Sequence, residues 1–255
     1  MIYITGDTHA DFSRFSTKNF PEQKEMTRDD YIIICGDFGG VWDYKLSSPE
    51  ERYWLDWFDD KPFTILFVDG NHENFDRLKE FPRVKLHGGM AHKIRKNVYH
   101  LMRGYVFEFD GKKFFTFGGA RSHDIQDGIL DIKNYDNLRD LVDDYNKRTR
   151  KGEMLRINHI SWWKDELPTD AEMRRGIKNL EKANWTVDYA ITHCPPREVC
   201  KWFGYYDSDK LIVYFDELLK HGLKFKEWWS GHLHKNEYGI YGKYNLIYED
   251  FVRIL

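Results

Sequence analysis

Carboxylate, imidazole and amide side chains occur in short groups, each directly after an apolar run of strand length. Five such groups follow one another along the chain: Gly6–His9, Gly36–Asp37, Asp69–Glu73, His193 and Gly231–His234. Together they hold five of the eleven histidines. In α/β sheets, functional groups gather at the carboxyl ends of the strands. The pattern therefore predicts that these side chains meet in one site.

The residue types in these groups indicate metal chemistry. Neutral imidazoles and carboxylates suit borderline divalent ions such as Mn, Fe and Zn better than Ca, which prefers oxygen ligands. Asp7 and His9 are two residues apart, so an extended backbone places them on one face, where they can hold one ion. A carboxylate such as Asp37 can bridge two ions, and two ions about 3.5–4 Å apart can clamp a phosphoryl group. Each group alone is weak evidence, but the five together predict a metal centre.

The runs before these groups are predicted to be strands buried on both faces. They are Met1–Thr5, Tyr31–Cys35, Phe63–Val68, Tyr189–Thr192 and Phe225–Trp229. Helical patterns lie between or beside them over Pro49–Asp60, Pro168–Ala183 (with a capping box at Thr169 and Glu172) and Lys210–Lys220. Short strand patterns from Val84 to Gly118, with a turn at Asp110-Gly111, predict an antiparallel section. The alternation predicts a layered α/β fold.

Residues 119–166 have the least regular pattern. The stretch Asp131–Lys147 fits either a helix or an irregular excursion. Trp162 and Trp163 could form a hydrophobic plug that anchors the stretch, or a wall that stacks a base, and the plug is favoured. No repeat or linker-like stretch is present. We therefore predict one domain over residues 1–255, with an irregular insert around 119–166.

Composition and charge narrow the function classes. The 255 residues carry 39 Lys+Arg and 42 Asp+Glu, a net charge of −3, which disfavours a large sequence-independent nucleic-acid surface. No run approaches the ~18 apolar residues of a membrane helix. The segment Met1–Asp7 lacks signal-peptide features, and the odd count of three cysteines suits a reducing compartment. We expect a cytoplasmic protein without a membrane partner; a nucleic-acid partner stays open but is not favoured.

The five groups resemble the five motifs of the calcineurin-like metallophosphoesterase superfamily, in its bacterial- or phage-type single-domain form. The resemblance covers nearly the whole chain and implies a four-layer α/β/β/α sandwich, with two mixed sheets flanked by helices and a dinuclear metal centre. Carried over residue by residue, it implies one ion on Asp7, His9, Asp37 and His234, and a second ion on Asp37, Asn71, His193 and His232. His72 falls at the family's non-ligand histidine, a candidate proton donor to the leaving oxygen.

The sequence also departs from one branch of that superfamily. Protein Ser/Thr phosphatases continue the second motif with Asp-Arg-Gly, whereas Asp37 is followed here by Phe38 and Gly39, which puts a phosphoprotein substrate in doubt. Arg121 and Arg197 are candidate substitutes, because the arginine fork matches phosphate oxygens. His123 is interpreted as an exposed or supporting histidine rather than a ligand.

We predict a dinuclear-metal-dependent hydrolase of phosphoric esters, either a phosphomonoesterase or a phosphodiesterase. A metal-bridging hydroxide attacks phosphorus, and His72 protonates the leaving alkoxide as a general acid. The expected cofactors are two divalent ions, with Mn, Fe or Zn favoured, and the expected substrate is a small phosphate ester or a nucleotide. Two alternatives remain: a metal-dependent nuclease, and a non-catalytic scaffold that uses the same fold.

Overall fold

The computed structural model describes residues 1–206 and 208–255. Its strands are β1 (Ile2–Thr5), β2 (Tyr31–Ile34), β3 (Thr64–Phe67), β4 (Arg83–Leu86), β5 (Gly89–Arg95), β6 (Val98–Leu101), β7 (Tyr105–Phe109), β8 (Lys112–Phe117), β9 (Gly128–Leu130), β10 (Leu155–Ile157), β11 (Tyr189–Thr192), β12 (Glu227–Ser230), β13 (Glu237–Ile240), β14 (Tyr244–Leu246) and β15 (Val252–Arg253). Its α-helices are α1 (Pro49–Asp59), α2 (Phe75–Glu80), α3 (Leu138–Thr149), α4 (Asp170–Lys182), α5 (Arg197–Trp202) and α6 (Lys210–Lys220).

Two large mixed sheets form the centre of the fold. The first has the strand order β15-β1-β2-β3-β6-β5-β4, and the second has the order β13-β14-β12-β11-β8-β7. In the first sheet, β1, β2, β3 and β6 run parallel, and the remaining pairs are antiparallel. In the second sheet, β8, β11, β12 and β14 run parallel. Both sheets therefore have a parallel centre whose strands end on the same side within each sheet.

Three apolar layers hold the sheets and helices together. Alternate residues of β1 and β2 face opposite layers, because side chains in a strand alternate between the two faces of a sheet. Ile2, Ile4 and Ile33 pack between the sheets against Ile191 and Trp229. Facing the other way, Ile32 and Ile34 pack with Leu55 and Phe58 of α1. On the outer face of the second sheet, Phe115, Phe117 and Ala190 pack with Leu180 of α4 and with Leu211 and Phe215 of α6. The predicted four-layer α/β/β/α sandwich is confirmed.

The predicted elements outside the insert lie close to their expected bounds. Helix α4 begins at the predicted capping box, in which the Thr169 side chain accepts from the Glu172 N–H and the Glu172 side chain accepts from the Thr169 N–H. Four strands and α-helices outside the insert were not predicted, namely α2, β5, α5 and β15. Strand β5 contains Gly89, Lys93 and Arg95, which obscure its alternation, and α5 is only six residues long.

The insert has its own small core. Strands β9 and β10 pair in parallel, and α3 covers them with Leu141, which packs against Leu130 and Ile157. The stretch that the sequence left open between helix and excursion therefore contains a regular helix. Trp163 is fully buried, and its Nε1–H donates to Asp76 Oδ2 at 2.7 Å. This geometry agrees with the plug interpretation of Trp163, because a buried ring cannot stack on a base.

The three cysteines, Cys35, Cys194 and Cys200, are free and buried. Burial raises the pKa of the Cys35 thiol well above its usual value, which keeps the thiol protonated. They behave as small apolar side chains. Within the described residues, no helix has the length and apolarity needed to cross a bilayer.

Candidate metal centre

The carboxyl ends of the parallel strands bring the predicted ligands together. Asp7 and His9 follow β1, Asp37 follows β2 and Asn71 follows β3, all in the first sheet. His193 follows β11, and His232 and His234 follow β12, in the second sheet. We refer to these seven residues as the strand-end cluster. Because ligands come from both sheets, the cluster spans the two halves of the sandwich.

Glycines allow the loops of the cluster to approach each other closely. A Cβ on Gly70 would lie 2.0 Å from Asp37 Oδ1, and a Cβ on Gly231 would lie 2.0 Å from Asp7 Oδ1. A Cβ on Gly36 would lie 2.2 Å from His193 Nδ1. These three glycines therefore leave space for the carboxylate or imidazole of another motif.

Several cluster residues have a left-handed backbone, which non-glycine residues rarely adopt. The φ angles are 45° at His9, 45° at Asp37, 66° at His232 and 48° at His234. Such conformations cost about 1–3 kcal/mol each and persist only where the surrounding structure enforces them. Their concentration in three loops of the cluster is typical of a functional site.

Asp7, His9 and His234 form a compact group. The Nε2 atoms of His9 and His234 are 3.0 Å apart, and His234 Nε2 lies 3.1 Å from Asp7 Oδ2. These atoms lie within 4.8 Å of one another, a spacing that can hold one metal ion. The ring of Tyr248 stacks on His234 with centroids 4.6 Å apart, which fixes the orientation of that imidazole.

A second group lies deeper and includes Asp37, His193 and Asn71. Asp37 Oδ2 lies 3.5 Å from His193 Nε2 and 3.6 Å from His9 Nε2. Asn71 Oδ1 lies 3.2 Å from His193 Nε2, whereas His193 Nδ1 faces the Cys35 carbonyl at 2.8 Å. One carboxylate oxygen of Asp37 therefore lies between histidines assigned to different ions.

His232 has a second histidine beside it that the sequence did not assign as a ligand. The main-chain N–H of His232 donates to Asp7 Oδ2 at 3.0 Å, and its ring lies 4.9 Å from the ring of His193. His232 Nε2 is 3.3 Å from His123 Nε2, and the two rings stack. The insert therefore contributes His123 to the edge of the strand-end cluster.

The surroundings set the charge of the site in a way that suits metal binding. Burial lowers the pKa of His9 and lowers that of His232 well below its usual value, so both rings favour the neutral form that binds metals. The hydrogen bond to Asp7 raises the pKa of His234 in the absence of a cation. Burial raises the pKa of Asp37, but His193, His72 and His9 outweigh it and lower the pKa below the usual value.

His72 lies beside the cluster rather than within it. Its main-chain N–H donates to Asp37 Oδ1 at 2.7 Å, and its half-buried ring lies 5.3 Å from the ring of His9 and 6.0 Å from that of Trp42. Burial lowers the pKa of His72. A cavity of about 230 Å³ next to Trp42 is lined also by Ala10, Gly39, Gly40, Asp43 and Trp54. His72 does not line this cavity itself, but the ring of Trp42 lies between the two.

The two candidate arginines lie in different surroundings. Arg121 is exposed and lines a small cavity of about 30 Å³ together with His123 and His232. The guanidinium of Arg197 instead pairs with Asp216 Oδ2 at 2.5 Å and donates to Ser208, which ties α5 to α6. Of the two, Arg121 is the one that the fold places beside the strand-end cluster.

The structure also brings in supporting residues that sequence reasoning missed. Buried Asp69 accepts hydrogen bonds from Arg103 Nε at 2.7 Å and faces His100 Nε2 at 3.0 Å, which holds the end of β3. Glu73 Oε1 accepts from the Phe38 N–H at 2.7 Å and supports the loop of Asp37. Asp69 and Glu73 carry a sequence signal, since they flank Asn71 and His72. Hydrogen bonds between the insert and the rest of the fold have no such sequence signal, because their partners are far apart in the chain.

Comparisons with known proteins identify the family of the chain. A family model for calcineurin-like phosphoesterases matches residues 1–236, so the chain belongs to that family. The family indicates a phosphoesterase. Lariat debranching enzyme A of Xenopus laevis is 27% identical over 147 residues, which cover 52% of this chain and 26% of that protein. The human lariat debranching enzyme is 23% identical over 254 residues, which cover 88% of this chain and 44% of that protein.

This chain therefore spans less than half the length of these curated relatives. Among solved structures, phosphopantetheinyl hydrolase from Mycobacterium tuberculosis superposes with a TM-score of 0.42 at 16% identity. The match covers 97% of this chain and 89% of that chain.

Proposed function

We propose that the protein hydrolyses phosphoric esters with two divalent metal ions bound at the strand-end cluster. The observation that supports this best is the place of Asp37, whose Oδ2 lies 3.6 Å from His9 Nε2 and 3.5 Å from His193 Nε2. A carboxylate oxygen between two imidazoles from different sheets is suited to bridge two cations. The donor set of imidazole, carboxylate and amide oxygen fits Mn, Fe or Zn.

The residues that would hold the first ion are Asp7, His9, Asp37 and His234, and those for the second are Asp37, Asn71, His193 and His232. Such ions supply positive charge for the phosphoryl oxygens and acidify a water for attack on phosphorus. Asp37 keeps the two sites together. The hydrogen bond from the His72 main-chain N–H to Asp37 Oδ1 also positions His72, the residue that we assign to proton transfer.

His72 is the candidate general acid for the leaving group. The ring is half-buried and lies 5.3 Å from the ring of His9 and 6.0 Å from the ring of Trp42. A protonated imidazole in this place can donate to a departing alkoxide. Trp42 in turn packs against Trp163 of the insert, with ring centroids 5.7 Å apart, so the insert supports the wall beside His72.

The cavity beside Trp42 favours a small ester or a nucleotide. Its aromatic lining from Trp42 and Trp54 suits a planar leaving group, and the carboxylates Asp43 and Glu50 disfavour an anionic one. Arg121 is a candidate contact for the phosphate itself. A second candidate function is phosphodiester hydrolysis in a nucleic acid, because relatives are named for debranching lariats.

A screen of phosphate esters tests this proposal. The purified protein is stripped with a chelator, reloaded with Mn²⁺, and assayed with aryl monoesters, aryl diesters, nucleotides and branched oligonucleotides. We expect hydrolysis that depends on the added ion. A chelated sample that keeps its activity would overturn the metal mechanism. A sample that binds two ions but hydrolyses no ester would favour the non-catalytic scaffold.

A further inference from the structure

A buried chain of hydrogen bonds connects the insert to Asn71. The Asn71 Nδ2–H donates to Ser122 Oγ at 3.3 Å, and the Ser122 hydroxyl donates to Glu166 Oε2 at 2.5 Å. The Ser122 main-chain N–H donates to Glu166 Oε1 at 3.1 Å. All three residues are at most 5% exposed, so water cannot easily replace any of these bonds.

The number of protons available to these hydrogen bonds determines the orientation of the Asn71 amide. A serine hydroxyl has one proton, and here the carboxylate of Glu166 accepts it. Ser122 Oγ can then only accept a hydrogen bond from Asn71, so the amide must present Nδ2 to Ser122. Its oxygen is left to face His193 Nε2, at 3.2 Å. The amide oxygen is the atom that can bind a cation, whereas the N–H group repels one.

Arg103 connects Glu166 to the loop that follows β3. The Glu166 main-chain carbonyl accepts from Arg103 Nη2 at 3.3 Å, and Arg103 is bound to the Asp69 carboxylate. Asp69 lies two residues before Asn71 in the chain. The carboxylate that orients Ser122 is therefore anchored to the same strand end as the amide that it controls.

We propose that Glu166 and Ser122 are positioning residues that orient the Asn71 oxygen toward the second metal ion, so that the insert determines the affinity of that ion. This inference rests on the proposed function, since it needs metal ions at the cluster. Loss of a residue that hydrogen-bonds to a metal ligand typically weakens metal affinity 10–100-fold.

The isosteric substitution Glu166→Gln tests the proposal most sharply. The glutamine oxygen can still accept from the Ser122 main-chain N–H, which places its NH₂ group against Ser122 Oγ. The hydroxyl must then donate to Asn71, and the Asn71 amide turns its NH₂ group toward the ion. We expect about 10–100-fold weaker binding of the second Mn²⁺, measured by titration calorimetry on chelated protein. Binding of the first ion should be unchanged.

Asp165→Asn is the matched control for the loss of a neighbouring carboxylate. The Asp165 side chain bonds Lys79 Nζ at 2.6 Å, at the surface. The Asp165→Asn variant should bind both Mn²⁺ ions with the wild-type affinities. Thermal unfolding of each chelated variant checks that the fold is intact.

A second substitution separates orientation from general damage. Asn71→Asp offers an oxygen in either orientation, so it should restore the second ion in the Glu166→Gln background. In the wild-type background, the same substitution places a carboxylate against the oxygen of Ser122, whose proton is held by Glu166, and should weaken binding. Each change is therefore expected to rescue the other.

The outcomes distinguish this inference from the proposed function. If the wild type binds two ions and Glu166→Gln binds both equally well, the positioning role is wrong while the proposed function stands. Failure of the rescue would also overturn the role. If the wild type itself binds no ions, the proposed function fails first.

Discussion

At the scale of single residues, Asp37 distinguishes a bridged pair of ions from two independent sites. Asp37→Ala removes the carboxylate whose Oδ2 lies within 3.6 Å of histidines assigned to both ions. We expect this variant to lose both ions, because two cations without a bridging anion repel each other. Asp7→Ala should lose only the first. Elemental analysis after dialysis gives the ions per chain, and an Asp37 variant that keeps both while the Asp7 variant loses one would contradict the bridging assignment.

His72 should matter for the rate and not for metal binding. For His72→Ala we expect both ions to remain and the rate toward alkyl esters to fall about 10²–10⁴-fold. Nitrophenyl esters should lose little, because nitrophenolate leaves without a proton. Burial lowers the pKa of His72, so the protonated ring is more abundant at low pH and the ratio of wild-type to variant rates should grow as the pH falls. An equal loss for every ester would exclude the general-acid role.

The sequence predicted the strand-end cluster because each ligand lies within a few residues of a strand end, where a local motif is visible. The same reasoning could not find Ser122 or Glu166. These two residues are 44 positions apart, and neither lies in a motif of metal-binding residues. Their role depends on how the insert folds back, which no local pattern encodes.

At the scale of elements, the loop after β12 needs a glycine at position 231, where there is no room for a side chain. Gly231→Ala would place a Cβ 2.0 Å from Asp7 Oδ1 and 2.8 Å from the Cys35 carbonyl. We expect weaker binding of the first ion and a lower free energy of unfolding. Gly239→Ala is the control: its φ of +72° brings strain of about 1–2 kcal/mol, but nothing lies within 4 Å of the new Cβ. Equal metal affinities in calorimetric titrations of both variants would contradict this account.

Helix α3, which the sequence left open, and strand β5, which it missed, share a physical cause. Half of the residues of α3 are charged and the helix buries only Leu141, so its apolar stripe is too narrow to recognise. Strand β5 pairs with β4 and β6, and its register with β6 shifts between Lys93 and Arg95, which interrupts the alternation. In both cases packing against neighbours, rather than local propensity, decides the conformation.

At the scale of the whole molecule, a buried histidine should make stability depend on pH. His92 is 5% exposed, and burial together with nearby His100 lowers its pKa to about 3. The unfolded chain, with a pKa of about 6.5, binds an extra proton between these values. The free energy of unfolding should therefore fall as the pH drops from 6.5 toward 3, by up to about 1.4 kcal/mol per pH unit from this group.

Urea unfolding of the chelated protein at pH 7, 6 and 5 measures this dependence. His92→Gln should make the dependence shallower, because the glutamine does not titrate; His9, His72 and His232, whose pKa values burial also lowers, supply the remaining slope. The exposed residue His221 supplies a control, and His221→Gln should keep the wild-type slope. If His92→Gln and the wild type lose stability in parallel, the buried neutral histidine is not the cause.

The central claim is that two divalent ions act at the strand-end cluster, and a metal titration with a parallel rate measurement tests it most directly. Chelated protein is titrated with Mn²⁺ while bound ions per chain and hydrolysis of an aryl phosphate ester are recorded together. We predict two ions per chain at saturation, with activity rising as the second site fills. Full activity in the metal-free protein, or saturation with activity at one ion per chain, would contradict the dinuclear site.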